Sequence, residues 1–240
     1  ELRNLLERTV VQAREAAEDA AREVVRRLAV DRPEAPRGIG PDERRLRNAL
    51  RSRARQLGNG IVSDGLQPLI EEIAYEQWHR MLFARFLAEN GLLVHPLGVP
   101  VTIAECEELA PEEGEPDAWA LAARYASQML PGIFRADDPA VQVRFAPEGR
   151  ITLERLLMGL PATVFHAEDA LGWCYQFWQT KKKAEVNRSE RRIGGKELPA
   201  VTQLFTEHYM VRFLLENTLG AWWITRHSES PLREELSYLR

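Results

Sequence analysis

Two stretches of this 240-residue chain gather side chains capable of binding chemistry. In the first, LGWCYQFWQTKKKAEVNRSERRIGGK (171–196), Trp173, Tyr175, Phe177 and Trp178 run into Lys181, Lys182, Lys183, Arg188, Arg191, Arg192 and Lys196, opposed only by Glu185 and Glu190. Cations beside aromatic rings hold a nucleic-acid backbone, because each neutralised phosphate releases counterions and base stacking adds to the binding. The same pattern also describes a core-facing aromatic helix followed by an exposed basic loop, and composition leaves both readings open. The second stretch is the loop around Thr202, Gln203, Phe205 and Thr206. It sets hydrogen-bonding groups beside an apolar ring at the start of a helix, where free N–H groups suit a ligand carboxylate.

The helix behind that loop is expected to begin at Thr206 as N-cap, with Glu207 in its first turn. Tyr209, Met210, Phe213, Leu214 and Leu219 supply a stripe to bury, and Gly220 is expected to end it. No other constellation is complete. The glycines near Gly38, Gly58 and Gly194 lack the setting and spacing of a phosphate loop, and His166, Glu168 and Asp169 do not form an H-E-x-x-H metal site. No G-x-S-x-G nucleophile elbow occurs. The acids from Glu105 to Asp117 have no calcium-loop spacing and read as a solvated loop. Cys106 and Cys174 stand far apart without neighbouring ligands, so neither a disulfide framework nor a metal site is expected, and a reducing cytoplasm is the expected location. A formal charge of −4 excludes a globally basic nucleic-acid binder while leaving room for a local basic face.

Helices must position these groups. Apolar residues at helical spacing run from Leu2 to Leu28, and a linker from Pro33 to Pro41 follows. A second helix, capped by Asp42, extends to Leu57 and carries an arginine run that reads as a solvated face or a phosphate contact. PLIEEIAYEQWHRMLFARFLAEN is a core helix with Pro68 in its first turn, stopped by Asn90-Gly91. His79 reads as a surface or satisfied histidine. Two shorter helices fit between Val101 and Met129, and the alternation of VQVRF (141–145) suggests a small β ribbon. TLERLLMGL and HAEDALGWCYQFW are again helical in pattern. The expected class is mainly α, a multi-helix domain over 1–197 with a further region starting at 198 and at most one short ribbon. With 45% hydrophobic residues the composition is that of a globular protein, and no apolar run approaches the roughly 20 residues that cross a bilayer. The acid-rich, amphipathic N-terminus is neither a secretory nor a transit signal. A start at Glu1 without methionine suggests trimming or a start that lies ahead of Glu1.

Longer stretches carry a resemblance. PAVTQLFTEHYMVRFLLENTLGAWW (199–223) closely resembles the segment just ahead of the catalytic domain in BREX-type adenine-specific DNA methyltransferases, the phage-defence PglX family; related segments occur in single-chain restriction–modification enzymes. AYEQWHRMLFARFLAENGLL (74–93) resembles that family's N-terminal Trp-and-Arg-Phe helix, and LGWCYQFWQTKKKAEVN (171–187) its Gly-Trp-x-Tyr-Gln stretch with the following lysines. Their order also matches, and the likeness covers roughly 70–223 with gaps.

The resemblance implies S-adenosylmethionine as cofactor, with Gln203, Phe205, Thr206 and Tyr209 lining the methionine end of its pocket and Met210 starting the helix behind. Glu207 departs from the proline common in relatives. The resemblance further implies double-stranded DNA as substrate, with Lys181, Lys182, Lys183, Arg188, Arg191 and Arg192 as candidate contacts. Other phage-defence proteins are implied as partners, and no membrane. Neither the family's Asp-Pro-Ala-Cys-Gly-Ser-Gly motif nor the Asn-Pro-Pro-Tyr motif that holds a flipped adenine occurs here. Both are expected beyond Arg240, in a Rossmann-like catalytic domain, so this chain by itself is expected to methylate nothing and to hold no catalytic residue. A stand-alone helical interaction module and a non-specific DNA-binding module remain the alternatives.

Overall fold

Residues spaced three and four apart close the first helix, α1 (Leu2–Arg27), onto the interior, burying Leu6, Val10, Ala13, Ala17, Ala21 and Val24. The computed structural model describes residues 1–167, 169–189, 194, 198, 201 and 206–239, which fall into two compact units, 1–166 and 167–240.

In the first unit, α2 (Pro41–Leu57) and α3 (Val62–Glu89) pack closely together, and α3 also lies against α1. Gly40 is the N-cap of α2 and Pro41 its first residue, so Asp42 sits inside the first turn rather than capping it. Two glycines permit the α2–α3 approach. A Cβ on Gly65 would fall 1.8 Å from the Ala54 carbonyl oxygen, and one on Gly58 2.0 Å from that of Ile61.

The arginine run of α2 is not a uniformly solvated face. Arg47 is buried and donates to the carbonyls of Leu28 (3.1 Å), Ala29 (3.1 Å), Arg32 and Glu34 (3.0 Å), while Arg51 reaches Val30 O at 2.7 Å. These are the acceptors that the end of α1 and its following turn leave without intrahelical donors. Arg53 pairs with Glu72 of α3 at 2.6 Å.

α3 begins earlier than its sequence suggests, at Val62, and Pro68 lies inside it. A proline there removes one helical N–H, an interior cost that the surrounding packing of α3 tolerates. The expected stop is present. Gly91 adopts φ +65°, its N–H donates to Ala88 O (3.1 Å), and the Leu92 N–H reaches Leu87 O at 2.7 Å.

α4 (Ile103–Leu109) and α5 (Ala118–Met129) form a hairpin. Its core joins Leu87, Leu93, Cys106, Leu121, Tyr125 and Phe134. Several acids from Glu105 to Asp117 are structural rather than merely solvated. Thr102 and Glu105 form a reciprocal cap on α4, and Asp117 caps α5 by accepting from the Ala120 N–H at 2.8 Å. Short helices follow: α6 (Pro131–Phe134), α7 (Pro139–Gln142), α8 (Pro147–Met158) against α1, and α9 (Ala162–Phe165).

The ribbon expected over VQVRF does not form. Asp138 accepts from the Ala140 N–H at 2.9 Å and starts a helical turn at Pro139. Gln77 of α3 donates to the Ala140 and Val141 carbonyls (both 3.0 Å), and Arg80 also donates to that of Val141. Backbone acceptors that a ladder would need are held by side chains, and the alternation simply buries Val141 and Val143. Among the described residues there is no strand, only a single bridge between Val94 and Pro100. The mainly α, multi-helix class holds.

The second unit contains α10 (Ala170–Ser189), α11 (His208–Leu215), a π turn (Glu216–Gly220), α12 (Ala221–Arg226) and α13 (Leu232–Glu235).

Candidate functional site

The basic stretch begins on a helix, not a loop. α10 runs unbroken through Lys181, Lys182, Lys183 and Arg188. Ala170, Cys174, Phe177 and Trp178, at helical spacing, form its buried face, while Trp173 and Tyr175 are half-buried. Most of the aromatic ring surface is therefore committed to packing. Burial also pushes the Cys174 thiol up to about 12, the behaviour of an inert core cysteine. Lys181 and Arg188 are exposed and, seven residues apart, share a face with Glu185; Lys182 and Lys183 are half-buried. Arg191 and Arg192 lie outside the described residues.

Of the four candidate cofactor contacts, Gln203 and Phe205 likewise lie outside the described residues. Thr206 and Tyr209 are exposed. Thr206 is not the cap: α11 starts at His208, and Glu207 occupies the N-cap position, where its side chain does not cap the helix. The capping group comes from 39 residues upstream, where Asp169 Oδ2 accepts the His208 N–H at 3.1 Å. One seat for a ligand carboxylate at this helix end is thus taken by the protein's own carboxylate. Nothing in the local sequence of α11 signals that partner.

The expected buried stripe is exposed. Tyr209, Met210, Phe213, Leu214 and Leu219 stand between 47% and 64% accessible, and Trp222 is half exposed. A continuous helix this apolar normally has a cover. Nor does Gly220 end it. Gly220 keeps helical angles (φ −61°, ψ −50°), and the π turn passes directly into α12. The glycine makes space instead, since a Cβ there would lie 3.1 Å from Leu236 Cδ1.

A clasp missed by pattern reading fixes the far end of this helix. The Arg212 Nε donates to Glu216 Oε1 (2.6 Å) and its Nη2 to Glu235 O (2.8 Å). Glu216 Oε2 accepts the Tyr238 N–H, and Asn217 Nδ2 donates to Tyr238 O at 2.6 Å. The Tyr238 ring meets Phe213 edge-on at 6.2 Å. Burial is the largest single influence on the Glu216 carboxyl and works against its charge. The N–H groups of Tyr238 and Ser237 and the Arg212 guanidinium together outweigh it and hold the group below the ordinary glutamate range. Beyond the tryptophans, the Trp223 and His227 rings meet at a tilt, centroids 3.9 Å apart, and Trp223 donates to Ser230 Oγ at 3.1 Å, while Arg226 lies 4.4 Å over Trp222.

Among the described residues no cluster of three or more His, Cys, Asp or Glu is arranged to hold a metal. No described helix is long and apolar enough to cross a membrane.

No protein-family model matches the chain. The chain is 27% identical over 207 residues to the adenine-specific methyltransferase BrxX of Escherichia coli O9:H4 (strain HS), an alignment covering 72% of this chain and 17% of that protein. It is 26% identical over 227 residues to the adenine-specific methyltransferase PglX of Lacticaseibacillus casei (strain Zhang), covering 77% and 19% respectively. The chain thus spans under a fifth of the length of these curated relatives. The resemblance read from residues 74–93, 171–187 and 199–223 is borne out: these relatives are BREX-type adenine-specific methyltransferases.

Proposed function

We propose that this chain is the helical front portion of a site-specific DNA adenine-N6 methyltransferase of a phage-defence system, acting in the cytoplasm, and that its second unit seats the catalytic domain. The observation that carries the reading is the bare apolar surface of α11 through α12, in a chain similar to methyltransferases several times its length. Covering Tyr209, Met210, Phe213, Leu214 and Leu219 would contribute on the order of 1–2 kcal/mol per large side chain. That is ample to dock a neighbouring domain.

In this reading α11 is held at one end by Asp169 and at the other by the Arg212–Glu216 clasp. It presents Thr206 and Tyr209, together with Gln203 and Phe205, as one wall of the S-adenosylmethionine pocket. The cofactor supplies the methyl group. This chain's residues orient its methionine end and exclude water, and chemistry at the adenine amino group belongs to the rest of the enzyme. Lys181, Lys182, Lys183, Arg188, Arg191 and Arg192 make backbone contacts to double-stranded DNA, which set register and affinity without reading sequence.

The test is steady-state methylation of duplex DNA by the full-length protein. Phe205→Ala is expected to raise the KM for S-adenosylmethionine at least tenfold with the fold intact, as judged by circular dichroism. An unchanged KM removes the loop from the cofactor pocket. Absence of adenine methylation by the full-length protein removes the activity.

A further inference from the structure

We propose that the turn His95–Gly98 is a preformed docking knob that inserts Leu97 into an apolar socket, rimmed by Lys and Arg, on another protein. Leu97 is 83% exposed and its neighbour Val99 59%. Large aliphatic side chains at such exposure usually sit on loose loops, where their cost to solubility is small. This turn is braced instead. The Gly98 N–H donates to His95 O (2.7 Å), His95 N–H to Val99 O (2.8 Å), and Val101 N–H to Leu93 O (2.8 Å) below. Pro96 fixes the first corner, and Gly98 takes φ +84°.

A side-chain network locks the turn a second time. His95 Nδ1 accepts the Leu97 N–H at 3.1 Å, which leaves Nε2 facing Glu113 Oε1 at 3.1 Å. Glu113 is in turn held by the Tyr125 hydroxyl and Arg124. Polar side chains of α5 and of the turn after α4 thus converge with His95 on holding one exposed leucine in place. Fixing an exposed apolar group beforehand lowers the entropy lost on association, the general advantage of preorganisation.

Charge decides the class of partner. Between Arg85 and Arg124 the chain has no Lys or Arg but eight carboxylates, of which Glu105, Glu107, Glu108 and Glu112 are exposed on the segment 102–113, tied to the turn at one end by the Val101–Leu93 hydrogen bond and at the other by Glu113 against His95. Such a rim repels a phosphate backbone and steers toward a cationic protein surface. The knob lies in the first unit and stands independently of the methyltransferase reading.

The test places a photocrosslinking benzophenone residue at position 97 of the full-length protein in the cells that make it and maps the cross-linked peptides by mass spectrometry. The cross-linked protein is then purified and titrated with the chain. The expected result is convergence on one apolar, Lys/Arg-edged site of a single protein. Leu97→Asp, and separately the pair Glu107→Lys and Glu108→Lys, should each weaken binding at least tenfold while leaving the thermal midpoint in place. His95→Ala, which frees the turn without removing Leu97, should weaken it several-fold. No cross-link, cross-links scattered over many proteins, cross-links confined to nucleic acid or to a second copy of this chain, or full affinity in any of these variants overturns the proposal.

Discussion

Arg47 and Leu28 stand nineteen positions apart, and the guanidinium of the first closes the helix that ends at the second, at 3.1 Å. One side chain serves four carbonyls spread over residues 28–34. Hydrogen bonds from a charged donor contribute about 1.5–3 kcal/mol each, and buried acceptors left empty cost more than pairs never made. Arg47→Ala is therefore expected to lower stability by about 3 kcal/mol, read as a shift of the urea midpoint. The exposed Arg45→Ala should move it by less than about 0.5 kcal/mol. Equal shifts in the two variants would remove Arg47 from this role.

Gly65 sets helix propensity against packing. In an exposed helix, alanine in place of glycine is favourable by about 1 kcal/mol. Here the new methyl would meet the backbone oxygen of Ala54 at 1.8 Å, and backbone cannot swing aside as a side chain does. Overpacking of that kind costs about 1–3 kcal/mol or more. Gly65→Ala should be net destabilising in thermal unfolding. A stabilised variant would mean that α2 and α3 separate at little cost.

The Glu216 clasp should persist well into acid. Its carboxyl lies below the ordinary glutamate range in the folded chain, so its contribution is complete above the unfolded value, about 4.3, and is lost as pH falls through the lower folded value. The amide proton of Tyr238, followed by NMR, should keep its carboxylate-bonded shift as pH falls to the free-glutamate value, about 4.3, and lose it only below that. A midpoint at or above the free-glutamate value contradicts this. Glu216→Gln should remove the shift at every pH.

Charge reversal at Lys181, Lys182 and Lys183 tests whether α10 reaches DNA. Each phosphate contact adds about 0.9 to the slope of log affinity against log salt. Replacing all three by glutamate in the full-length protein should flatten that slope by up to about 3, measured by fluorescence anisotropy. Retained slope and affinity would assign these lysines to the surface of the helix alone.

Legibility followed the reach of the forces involved. The period of Leu6, Val10, Ala13 and Ala17 and the Asn90-Gly91 stop are local, and both read correctly. Arg47 did not, because its partners are backbone carbonyls, which leave no trace in residue type. VQVRF alternates like a strand, but Gln77 and Arg80, more than sixty residues away, hold its Val141 carbonyl. The cap of α11 failed for the same reason, since Asp169 arrives from outside the segment. The stripe of α11 shows a different limit. Periodicity identifies Tyr209, Phe213 and Leu214 as residues that need cover without saying what supplies it. As for the candidate site, the sequence resemblance proposed it, whereas the half-buried lysines and the taken N–H at His208 emerged only from the packing.

The π turn at Glu216–Gly220 has a consequence for phase. A π turn behaves as one extra residue within an α-helix, and one residue corresponds to about 100° of rotation. Trp222 and Trp223 therefore point about 100° away from where an unbroken helix would aim them relative to Tyr209 and Phe213. The turn thus absorbs one residue of register: deleting a single residue from it would restore regular α-helical turns and leave both tryptophans aimed as they are now.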